Sequence, residues 1–121
     1  MIVTGCDKNS RKSNNEYYVK YEVNSSTIYY GKTLVVNVKS NNNQSSTLEI
    51  AARKPWEFVI GPVNRGFKAE LVVNENGTNY GHLSLFAKIS VSKDGSAFSV
   101  KSFDDNRSER TTVTLNYTID Y

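Results

Sequence analysis

Apolar and polar residues alternate one for one along stretch after stretch of this chain, and a side-chain period of two belongs to the β-strand. Tyr17, Val19, Tyr21 and Val23 share one phase, with Tyr18, Lys20 and Glu22 on the other. The same rhythm returns through Leu34, Val36 and Val38, through Leu48, Ile50 and Ala52, and through Phe67, Ala69, Leu71 and Val73. Leu83, Leu85, Ala87, Ile89 and Val91 form the longest such run, Phe98 and Val100 bring the chain back, and Val113 to Tyr121 closes it. No window carries an apolar period of 3.6 with capping residues, so the sequence predicts essentially no helix.

Turn chemistry separates these runs. Ser40 to Ser45 reads as a polar hairpin loop, Asn64-Arg65-Gly66 and Asn24-Ser25-Ser26 as turns, and Asn76-Gly77 and Asp94-Gly95 as hairpin dipeptides that tolerate positive φ. Gly81 marks a longer loop or a bulge, Thr27 to Gly31 is a short bridging strand or a loop, and Asp104 to Glu109 is the last loop. Between the first and second halves lies Lys54 to Gly66, with the only tryptophan and both prolines. Trp56, Phe58 and Ile60 alternate with Glu57 and Val59, which predicts a short core strand on which the rest packs. Pro55 and Gly61-Pro62 place that strand at a sheet edge or a crossing between sheets. Seven or eight such strands predict an all-β, immunoglobulin-like antiparallel two-sheet sandwich, with a closed barrel as the alternative.

Composition narrows the function classes. The 121 residues fit one domain over 16–121, and eight tyrosines help supply buried area in a chain only 38 % hydrophobic. The net charge of +3 is spread without the basic stripe that phosphate backbones require, so nucleic acid is not an expected partner. One cysteine excludes an internal disulfide and a multi-cysteine metal site.

Residues 1–15 read as a truncated signal segment and a polar, disordered tether. Val3-Thr4-Gly5-Cys6 resembles the lipobox of bacterial lipoproteins, which implies lipidation at Cys6, attachment to a membrane and a place in the cell envelope. The five residues before Cys6 are shorter than a signal peptide, which points to truncation or an internal Met. Tyr21-Glu22-Val23, the following hairpin, Pro55-Trp56, Gly66 and Ala69 resemble the immunoglobulin-like domain of the mycobacterial small membrane-protein family over residues 17–92. They also look like small lipid-anchored sandwich proteins of the Bacteroidetes. Members of the mycobacterial family are accessory subunits of exporters, and the resemblance implies an accessory role here, although that family's membrane helix has no counterpart in this sequence.

The candidate contacts for a ligand or partner are aromatics that fall on the outward phase or near strand ends: Tyr18, Tyr29, Tyr30, Phe86 and Phe103. Tyr80 and the outward Val59 and Val72 accompany them. Exposed aromatics stack on sugars or seat a protein partner. His82 lacks a nucleophile or orienting carboxylate by spacing, so no catalytic residue is expected. Glu22, Glu49, Glu57 and Glu70 fall outward, where two carboxylates on neighbouring strands would be the raw material of an acid/base pair; a solvated polar face is the expectation. Asp104, Asp105, Asn106 and Glu109 lack the glycine and spacing of a calcium loop, so no metal is expected and no cofactor. The sequence therefore predicts a non-enzymatic, lipid-anchored binding or accessory module for a protein or envelope component. A carbohydrate-binding or adhesion module is second and a hydrolase third.

Overall fold

The computed structural model describes residues 16–76 and 82–121. Cys6 and the tether expected over 1–15 lie outside the described residues, as do Gly77, Tyr80 and Gly81. The described chain contains no helix and folds as an antiparallel two-sheet β-sandwich of immunoglobulin-like architecture. Its eight strands are β1 (Tyr17–Thr27), β2 (Thr33–Lys39), β3 (Ser45–Ala51), β4 (Trp56–Val63), β5 (Lys68–Asn76), β6 (Leu83–Lys93), β7 (Ser99–Asp104) and β8 (Thr112–Thr118).

One sheet has the order β4-β1-β6-β7 and the other β3-β2-β5-β8. Only β2–β3 and β6–β7 are hairpins; every other connection crosses from one sheet to the other. The β6–β7 turn has Asp94 at φ 53° and Gly95 at φ 81°, the positive pair that an Asp-Gly hairpin supplies. The strands before and after Asn76-Gly77, β5 and β6, by contrast, belong to different sheets and are not a hairpin pair.

The core is the inward phase of both sheets, as the alternation predicts. Tyr17, Val19, Tyr21 and Val23 face Leu34, Val36 and Val38, with Ala69, Leu71 and Val73, the five inward residues Leu83 to Val91, and Val113, all buried. Two inward tyrosines also tie parts of the chain together through their hydroxyls. Tyr21 Oη donates to the Lys39 carbonyl of the other sheet at 2.8 Å, and Tyr17 Oη donates to the Tyr121 carbonyl. Burial pushes the Tyr21 hydroxyl pKa far up.

Two expectations need correction. The chain is organised around β1 and β6, which have a strand on each side, and not around β4, which is at the sheet edge where its prolines and glycine placed it, with β1 as its one neighbour. Ile60 is fully in the core, but Trp56 and Phe58 are half-buried and stack on each other at 6.0 Å along the sheet's open flank. An edge strand has a lateral neighbour on one side only, so its inward side chains stay half covered. Asn24-Ser25-Ser26 is not a turn either: β1 continues through it, paired with Phe86, Leu85 and Ser84. Ser25 and Thr27 are buried polar residues on the inward phase, and their hydroxyl oxygens accept from the backbone N–H groups of Arg53 and Tyr29.

Candidate functional site

The outer face of the β4-β1-β6-β7 sheet is where outward residues depart from a solvated surface. Across the sheet, strand register sets Glu57, Glu22, Lys88 and Phe103 side by side in one row and Val59, Lys20, Ser90 and Val100 in the next. Phe86 lies opposite Asn24 one row further along β6. Val59, Val100 and Phe103 are 44 %, 51 % and 62 % exposed, and Phe98 at the end of the β6–β7 turn joins them, with Lys20 Nζ 4.7 Å from its ring centroid.

Val100 and Phe103 are an odd number of residues apart, so a regular strand would point them to opposite faces. A β-bulge between Ile89 and Ser90 inserts one extra residue in β7 and turns both outward. Simple alternation therefore gives Val100 the wrong side, and with it Phe98. No sequence signal marks this bulge.

Over the row of Glu57, Glu22, Lys88 and Phe103 and the row of Asn24 and Phe86 runs an open concavity of about 710 Å³, bordered by all four strands. Its outward side chains are Glu22, Asn24, Glu57, Phe86, Lys88, Val100 and Phe103, and Pro55, Asp104 and Asp105 close its ends. Glu22 and Glu57 face each other as a cross-strand pair, and like charges directly opposite destabilise a sheet. Lys88 Nζ, 3.8 Å from Glu22, compensates one of them.

Asp104 and the loop after it form the rim. Arg110 spans Asp104 with two hydrogen bonds of 2.9 and 2.7 Å and reaches the Leu85 carbonyl at 2.7 Å, which ties the β7–β8 loop to β6. The donated guanidinium hydrogen bonds, with the Asn106 N–H, hold the Asp104 carboxyl below the usual carboxylate range. Arg110 is raised in turn by the hydrogen bond to Asp104. Three of the four side chains considered for calcium are thus engaged, Asp104 by Arg110, Asn106 Oδ1 as acceptor from the Ser108 N–H, and Glu109 at 3.0 Å from His82 Nδ1. Among the described residues no group of three or more His, Cys, Asp or Glu converges as a metal site.

Of the five candidate contacts, Phe86 and Phe103 meet in this concavity. Tyr18 is on the same face but away from it, half-buried with its ring over Gly61, where a Cβ would come within 2.5 Å of the ring. Tyr29 and Tyr30 are at the end of the sandwich, in the β1–β2 connection. Tyr30 is 85 % exposed with the Arg53 guanidinium 4.2 Å from its ring, and Tyr29 is near Lys32 and His82. His82 does have a carboxylate partner, Glu109, which chain spacing did not reveal; both are more than half exposed and neither borders the concavity. Val72 is outward on the opposite sheet.

No protein-family model and no curated protein matches this chain.

Proposed function

We propose that this protein is a non-enzymatic binding or accessory module of the cell envelope, held there by lipid on Cys6, and that it seats a protein partner on the outer face of the β4-β1-β6-β7 sheet. The observation that carries this reading is that exposed Val100 and Phe103 line one concavity with Phe86, and exposed Val59 and Phe98 continue the same sheet face beside it. Apolar side chains scattered singly are normal on a surface, but a contiguous group rimmed by charge marks an interaction site.

A glycan platform would stack sugar rings on a row of accessible aromatics. Here only Phe86 and Phe103 lie outward in the concavity, and Arg107 covers Phe86 at 5.8 Å, so the carbohydrate reading stands second. The hydrolase reading would rest on Glu22 and Glu57, which share an open face with Lys88 and have no enclosing cleft.

A photo-crosslinking amino acid at position 103 tests the surface in cells that make the protein. Discrete adducts at 103, lost when Phe86→Ser is added and absent from position 114 on the other sheet, are expected; equal labelling from both positions overturns the reading. The address is tested separately. Cys6→Ser is expected to move the protein from the membrane to the soluble fraction, since stable anchoring needs the lipid chains. Unchanged fractionation rules the anchor out.

A further inference from the structure

We infer that the segment received by this surface is cationic and extended, with Lys or Arg at two positions four residues apart and an apolar side chain midway on the same face. The inference rests on the protein-docking reading above and specifies its partner.

Charge is the first argument. Four carboxylates, Glu22, Glu57, Asp104 and Asp105, and one lysine, Lys88, border the concavity, on a chain whose net charge is +3. Asp104 is held by Arg110 and Glu22 is close to Lys88. Glu57 and Asp105 form no ion pair among the described residues. Glu57 also stands directly against Glu22, so a cation placed on it relieves a repulsion built into the sheet. An anionic glycan or an anionic lipid surface would meet the opposite of complementarity here.

Spacing is the second. Glu57 is on edge strand β4 and Asp105 follows edge strand β7, two residues past the Phe103 of Glu57's row, so three inter-strand gaps across and two residues along separate them, about 16 Å at ~4.8 Å per gap and ~3.3 Å per residue. An extended chain advances ~3.3 Å per residue, so residues i and i+4 are about 13 Å apart and on one face, with i+2 between them. The stems of the two cationic side chains make up the remaining ~3 Å, and the floor beneath i+2, between the central strands, is Phe86 and the stem of Lys88, apolar at its surface and already cationic at its tip. An apolar side chain suits that position and a third cation does not.

The test uses a fluorescein-labelled nine-residue peptide with lysine at positions 3 and 7, leucine at 5 and threonine elsewhere, titrated by anisotropy at low ionic strength. Saturable binding is expected, lost when the lysines are replaced by glutamate and weakened about fivefold by Glu57→Gln with Asp105→Asn, as exposed ion pairs contribute modestly. Glu57→Gln alone should leave the thermal midpoint equal or higher while binding falls, which separates loss of charge from loss of fold. Equal binding of the glutamate peptide, indifference to the two carboxylate substitutions, or binding of a neutral chito-oligosaccharide in place of the peptide would overturn the inference. Adducts at position 103 with no cationic preference would sink this inference alone; absence of both adducts and peptide binding would sink the docking reading with it.

Discussion

The two sheets have outer faces of opposite character over one shared core. On the β3-β2-β5-β8 sheet, register aligns Glu49, Val35, Asn74 and Thr112 in one row and Thr47, Asn37, Val72 and Thr114 in the next. Their polar ends bond to one another: Thr47 Oγ1 donates to Asn37 Oδ1 at 2.5 Å, and Thr112 Oγ1 to Asn74 Oδ1 at 2.9 Å. Lys39 and Lys68 flank Glu70 at 3.7 and 3.6 Å. That face satisfies itself. The β4-β1-β6-β7 face instead leaves phenylalanines and valines exposed and sets two glutamates against each other. Identical inward patterning makes the sandwich, so the difference between the outward sets is available for binding.

The sheets differ also in how an ion pair fastens the same end of the sandwich. Lys32 and Glu75 continue the inward phase of β2 and β5 and meet at 3.0 Å with side chains only 5 % and 3 % exposed. The Asp104–Arg110 pair on the other sheet is 31 % and 22 % exposed. The largest effect should come from the enclosed pair. Glu75→Gln leaves the Lys32 ammonium in the interior without that carboxylate, at a cost of ~3–5 kcal/mol, a fall in thermal midpoint of more than ~10 °C by calorimetry. A loss no larger than that of an exposed pair would erase the contrast between the two ion pairs.

Next in size is Arg110→Ala, which removes charge-assisted hydrogen bonds to Asp104 and the Leu85 carbonyl, for ~1.5–3 kcal/mol. It sharpens the comparison through pH. Asp104 has a folded pKa below its unfolded one, so its contribution is fully present above the unfolded carboxylate value and is lost as pH falls through the folded value. Denaturant unfolding followed from pH 6 down to pH 2 should show that this acid-side loss is smaller in Arg110→Ala than in the wild type. An identical slope in both would show that Arg110 is not what lowers Asp104.

The smallest effects test the faces themselves. Thr114→Ala on the polar face and Phe103→Ser on the apolar one should each change stability by no more than ~0.5–1 kcal/mol, since both are outward. With the photo-crosslinking amino acid moved to position 100 on the same face, only Phe103→Ser should abolish partner adducts. Should Thr114→Ala do so as well, the two faces would not differ in function.

Much of the fold was legible because a sandwich core is written in a period of two. The inward sets of β1, β2, β5 and β6 are buried as the alternation predicts, with Val113, Leu115 and Ile119 of the last run, whose Tyr117 is half-buried and Tyr121 exposed, and Glu22, Glu49, Glu57 and Glu70 fall outward. Ser25 reads as part of a turn, and Thr27 as the start of a bridging strand or a loop, because polarity is a local property; their place inside β1 depends on β6 beside them and on backbone donors from the β3–β4 and β1–β2 connections. Half of the site was legible as well, since Phe86 and Phe103 follow from phase. Val100 and Phe98 were not, because a bulge of one residue reverses phase without changing composition.

The sequence by itself determined which side chains are apolar and how they alternate, and hence that the chain forms strands with one buried face each. Tertiary structure decided which strands are neighbours, that β1 and β6 are central, that Glu22 stands against Glu57, and that Lys32 meets Glu75 inside the end of the sandwich. The physical reason is range. Alternation acts between residues two apart, whereas strand order, register and charge pairing are set by packing between segments far apart in the chain, which a one-dimensional period does not encode.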